Sequence, residues 1–112
     1  MSERAGRPEL LRVVVEPGDP DGPAVLDVHW SSASESASHK AFEYARVFLV
    51  VPGDVAARRY LTLVEGRARA SVRVPADTAA GEYAIEIDAY AGASWGDGRL
   101  DARGRSATFT IR

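Results

Sequence analysis

From Arg67 to Val74 the side chains alternate without a break, Ala68, Ala70, Val72 and Val74 on one side of the backbone and Arg67, Arg69, Ser71 and Arg73 on the other. Successive residues of a β-strand point to opposite faces of the sheet, so this is the pattern of a half-buried strand. Tyr83 to Ala89 repeats it, with Tyr83, Ile85, Ile87 and Ala89 expected inward and Glu86 and Asp88 outward. Ser106 to Ile111 repeats it again. Further strands are expected at Leu11 to Val15, Ala24 to Trp30, Val47 to Val51 and Tyr60 to Val64, which brings the number to about seven. In Ala24 to Trp30 the inward residues are Leu26, Val28 and Trp30, and Asp27 and His29 face out.

Turn chemistry separates these runs. Pro17 to Pro23 holds three prolines and two glycines, and Pro52-Gly53-Asp54, Glu65-Gly66 and Pro75 to Gly81 carry the same signals. Short alternating strands at this spacing predict an all-β, antiparallel sandwich of about seven strands, of the immunoglobulin-like or fibronectin III-like kind. Between Ser36 and Arg46 a serine N-cap and apolar residues at helical spacing leave one or two helical turns open as the alternative to strand. At 112 residues the chain has room for one core. A flexible stretch is expected over residues 1–9 and a single domain over 10–112.

The run Val72 to Ile85, which passes from a strand through Pro75 and Asp77 to Gly81-Glu82-Tyr83, resembles the corner between strands E and F of bacterial immunoglobulin-like domains. The resemblance implies that Tyr83 hydrogen-bonds back to that corner. It departs from antibody domains in having no cysteine pair, with Ile85 where those domains place the second cysteine, and in carrying Trp30 at the end of the second strand. It therefore implies a fold and no particular function.

Composition removes several function classes. Without cysteine there is no disulfide, thiolate metal site or cysteine nucleophile. A net charge of −2 does not provide the clustered positive charge that nucleic acid or an anionic membrane requires, and neither is expected as a partner. The first residues lack the apolar core of a signal peptide, which predicts a cytoplasmic location, and no run approaches a membrane span. The chain has no Asn or Gln, and one lysine, Lys40, against thirteen arginines, a pattern that reads as the codon bias of a GC-rich bacterial genome.

Apparent motifs have plain explanations. Gly92-Ala93-Ser94-Trp95-Gly96 has the spacing of a serine-hydrolase elbow, but that elbow needs a strand turning into a helix above a parallel sheet, for which this chain lacks the βα pattern. Asp19-Pro20-Asp21-Gly22 opens like a calcium loop and lacks the ligands that must follow. His29 and His39 have no regular ligand spacing. No catalysis, metal or cofactor is expected. The row Arg67, Arg69, Arg73, helped by Arg58 and Arg59 nearby in sequence, could serve as an anion-binding stripe, but the stronger account is a solvated face, with Asp27 placed to oppose it.

In the expected topology, Ser31 to Lys40, Glu65-Gly66 and Tyr90 to Arg105 emerge at one end. Serine and glycine with tyrosine, tryptophan and arginine make the composition of binding loops. Tyr90, Trp95, Arg99, Ser34 and His39 are the candidate binding residues. The expectation is a non-catalytic module presenting this end, or a sheet edge, to a protein partner or larger assembly, with a homodimer also open. The alternative is a carbohydrate-binding domain in which Trp95, Tyr90 or Tyr44 stacks on a sugar ring. Tyr44, Arg46 and Phe48 form a further candidate stripe.

Overall fold

The computed structural model describes residues 9–17, 25–32, 42–91, 96, 98 and 100–111. Eight strands follow in chain order: β1 Glu9–Pro17, β2 Val25–Ser32, β3 Tyr44–Val51, β4 Asp54–Glu65, β5 Arg69–Arg73, β6 Gly81–Tyr90, β7 Ala102–Arg105 and β8 Phe109–Ile111. The alternation read from the sequence governs which side chains enter the core. Leu26, Val28 and Trp30 of β2, Val72 and Val74 at β5, and Ile85, Ile87 and Ala89 of β6 are buried against Leu11, Val13, Val47, Leu49 and Ala102. Tyr44 to Arg46 is strand, which resolves the helix alternative there; Ser36 to Ala41 lies outside the described residues.

The strands run in one hydrogen-bonded path, β4-β3-β6-β7-β1-β2-β5, with β8 paired to β6. This corrects the expected antiparallel sandwich of immunoglobulin-like or fibronectin III-like kind. The fold is all-β, but its sheet is mixed, and it curls into a nearly closed barrel shape whose terminal strands β4 and β5 come back into contact. The join is made by β1. Its first two residues pair in parallel with β7, Glu9 against Ala102 and Leu10 against Arg103, and Leu11 to Pro17 then pair antiparallel with β2.

Gly104 makes this join possible. A Cβ at that position would stand 2.7 Å from the Leu11 Cβ and 2.8 Å from its carbonyl carbon, far inside van der Waals contact. Only a residue without a side chain lets β1 lie this close to β7. Gly104 falls within the loop expected from Tyr90 to Arg105. The structure ends that loop at Asp101 and puts Gly104 in a buried strand position.

The last strand also divides. β7 pairs with Glu86 to Ala89, and β8 with Gly81 to Tyr83. Between them the Ser106 hydroxyl accepts a hydrogen bond from the Ile85 amide at 3.0 Å and donates to the Ala107 carbonyl at 2.8 Å. A serine that bonds the backbone in this way substitutes for a ladder bond and interrupts the strand, so Ser106 to Thr108 is not strand.

Candidate functional site

The outer face of β4, β3, β6 and β7 carries most of the ordered polar chemistry. Directly opposed residues of an antiparallel pair share a face. On β6 the residues are Glu86, Asp88 and Tyr90. Phe48, Arg46 and Tyr44 of β3 stand opposite them, and Arg105 and Arg103 of β7 stand opposite Glu86 and Asp88. From β4, Tyr60 opposes Phe48.

Glu86 and Asp88 were expected in solvent. They are only 6% and 3% exposed, because three arginines close over them. The Arg58 Nε lies 2.8 Å from Glu86 Oε1, and its Nη2 donates to Asp88 Oδ2 at 2.8 Å. Arg103 grips Asp88 with both ends of its fork, Nε to Oδ1 at 2.7 Å and Nη2 to Oδ2 at 2.9 Å. Arg105 Nη2 reaches Glu86 Oε2 at 3.2 Å. Charge-assisted, partly bidentate bonds of this kind fix the guanidinium planes and offset the cost of removing two carboxylates from water.

Electrostatics follows the geometry. Burial alone would raise the Asp88 carboxyl, but the hydrogen bonds from Arg103 and Arg58 and their positive charges outweigh it and hold the group below the usual aspartate value. The Arg103 guanidinium is pushed up, first by its hydrogen bond to Asp88 and against the opposing effect of burial.

The arginines are both anchored and accessible. The side chains of Arg58, Arg103 and Arg105 are 32%, 44% and 41% exposed. Each guanidinium has five N–H donors, and the bonds to Glu86 and Asp88 use two from Arg58, two from Arg103 and one from Arg105. Three guanidinium groups over two carboxylates leave a positive centre, and Arg46 adds to it; Glu65 and Glu82 stand on the same face at its ends.

Aromatic rings border the cluster. Arg58 stacks on Phe48, its guanidinium carbon 3.8 Å from the ring centroid, and Phe48 meets Tyr60 edge to face at 5.9 Å. Arg46 lies over the Tyr90 ring at 5.6 Å. Tyr60 is 54% exposed, whereas Tyr90 is buried.

The structure thus brings together the Tyr44, Arg46 and Phe48 stripe. It places Tyr90 at the end of β6 as a buried residue and not in a loop. Ser34, His39, Trp95 and Arg99 lie outside the described residues. Arg103 and Arg105 are not among the residues singled out from the sequence, although Glu86-x-Asp88 and Arg103-x-Arg105 share one period and opposite charge, and Arg58 lies with them and not with the Arg67, Arg69, Arg73 row. On the opposite side of the molecule Asp27 faces Ser71, whose hydroxyl donates to it at 2.9 Å, while Arg69 stands opposite His29 and Arg73 opposite Val25. Among the described residues no group of three His, Cys, Asp or Glu side chains is placed to hold a metal ion.

No protein-family model matches the chain. No curated protein matches it either. A solved structure does: the crystal structure of a pectate lyase from Erwinia chrysanthemi in complex with tetragalacturonic acid, with a TM-score of 0.55 and 13% sequence identity over 91% of this chain. The chain spans 28% of the length of that structure, and at this identity the likeness bears on fold alone. Together with the mixed sheet and its parallel β1–β7 pairing, it replaces the immunoglobulin-like resemblance drawn from Val72 to Ile85. The hydrogen bond expected of Tyr83 is nevertheless present, its hydroxyl donating to the Ala79 carbonyl at 2.7 Å.

Proposed function

We propose that this domain is a non-catalytic binding module that lays an acidic carbohydrate chain across the outer face of β4, β3, β6 and β7. The observation that carries the reading is the anchoring of Arg58, Arg103 and Arg105 by the buried carboxylates of Glu86 and Asp88. Guanidinium groups already held in place lose little freedom when they meet a second carboxylate, and their fork geometry suits that group. Tyr60, and Tyr44 further along, supply ring faces beside the positive centre for the apolar face of a sugar. The pectate lyase similar in fold was crystallised with an acidic oligosaccharide, and this supplies the probe.

A catalytic alternative would cast Glu86 and Asp88 as paired acid and base. A general acid in glycoside chemistry needs a carboxyl raised toward neutrality, whereas Asp88 is held low and both groups are covered by arginine. The geometry favours holding a chain over cutting it.

Retention on immobilised polygalacturonate, compared with neutral dextran at several salt concentrations, tests the proposal. Retention on the acidic matrix alone is expected, weakening with salt, and it should fall several-fold in Arg105→Gln and in Tyr60→Ala. Equal retention on both matrices, or none on either, refutes it.

A further inference from the structure

Among the described strands β4 and β5 end the path, and the barrel does not close between them. Among the described strands β4, twelve residues long, pairs only with β3, so its other edge carries no ladder bonds, although β5 comes near part of it. Beside that edge, between β4 and the turn at 75–80, lies a cleft of about 280 Å³. Leu49, Val51, Ala57 and the Tyr83 ring make much of its lining. Val51 is 36% exposed there, an apolar side chain without full cover.

Two polar features mark the cleft. Thr78 lines its wall, and the Thr78 Oγ1 is buried and bonds to no group among the described residues. A buried hydroxyl left without a partner is a cost that an incoming donor or acceptor removes. Arg59 is the second. It stands opposite the buried Leu49, hence on the inward side of an edge strand, and reaches Asp77 at 3.0 Å across the cleft. That pair is exposed, 48% and 75%, and such pairs are easily exchanged.

We propose that the open edge of β4 accepts an extended peptide from a protein partner, with apolar side chains seated over Val51 and Ala57 and an acidic one replacing Asp77 against Arg59. Backbone hydrogen bonds to the free edge supply affinity, and alternate side chains supply specificity, as in other cases of strand addition. An inward-pointing charge on an edge strand keeps strands in general from pairing there, so Arg59 selects for a strand that brings a carboxylate. Arg58 lines this cleft and also belongs to the carbohydrate-binding face, whereas Val51, Ala57, Arg59 and Thr78 belong to the cleft alone, so the two readings fail separately.

The probe is the peptide acetyl-Thr-Val-Thr-Glu-Thr-Val-Thr-amide, in which valine and glutamate share one strand face, with a lysine-for-glutamate version as its counterpart. In titrations followed by amide chemical shifts, the glutamate peptide should give saturable changes at Ala57, Arg59 and Thr78 and bind at least fivefold more tightly than the lysine peptide. Arg59→Glu should invert that preference. Thr78→Val should weaken the glutamate peptide several-fold with a melting temperature equal to or above that of the parent. Equal affinity for the two peptides, or no saturable change along β4, overturns the proposal. So do changes confined to the face around Arg105, and so does broadening of the β4 amides with protein concentration alone, which would assign the edge to a second copy of the chain.

Discussion

Arg103 of β7 and Asp88 of β6 stand directly opposite one another and are joined by two hydrogen bonds, at 2.7 and 2.9 Å. A pair fixed this firmly turns the neighbouring strands into a single platform, and its protonation behaviour is measurable.

Because the folded state lowers the Asp88 carboxyl, its contribution to stability is complete above the unfolded aspartate value of about 3.9 and is lost as pH falls through the lower folded value. Thermal melts should show the parent losing stability below about pH 4. Asp88→Asn should be less stable at pH 7 and lose less on acidification. Parallel pH profiles for the two proteins would show that Asp88 is not linked to folding.

Arg58 touches both carboxylates and the Phe48 ring. Arg58→Ala leaves two buried acceptors short of donors, and a loss of about 1–3 kcal/mol in denaturant unfolding is expected. Arg58→Lys should recover only part of this, since an ammonium group neither forks to two carboxylates nor stacks as a plane. Full recovery by lysine would reduce Arg58 to a simple charge.

Gly104→Ala forces a methyl group into the Leu11 backbone, and a destabilisation of about 1–3 kcal/mol is expected. Gly96→Ala is the control, because nothing lies within 4 Å of a Cβ there. Similar melting temperatures for the two variants would place β1 farther from β7 than the structure does.

The Tyr83 hydroxyl spans the turn to Ala79. Tyr83→Phe should cost about 0.5–1.5 kcal/mol, measured by chemical denaturation. No change would mean that the turn is held by backbone bonds alone, such as Thr78 N–H to the Pro75 carbonyl.

Period-two patterning made the buried residues legible, since Val28 and Ile87 each stand between two polar neighbours and are buried. It could not show β7. Ala102 to Arg105 alternates too, but Gly104 reads as a turn residue until the approach of Leu11 is known. Nor could alternation show that β1 leaves β7 for β2 at Leu11, because pairing direction leaves no mark on side-chain period. The candidate site was half visible. Tyr44, Arg46 and Phe48 stood out as a stripe, while Glu86 and Asp88 looked like solvated charges because their cover comes from Arg58, Arg103 and Arg105 on two other strands.

The most direct measurement is the arginine Nε–H spectrum during titration with tetragalacturonate. Saturable shifts at Arg58, Arg103 and Arg105, with Arg69 and Arg73 on the opposite side unmoved, are the predicted result. Shifts at Arg69 and Arg73 alone, or none at all, would contradict the account.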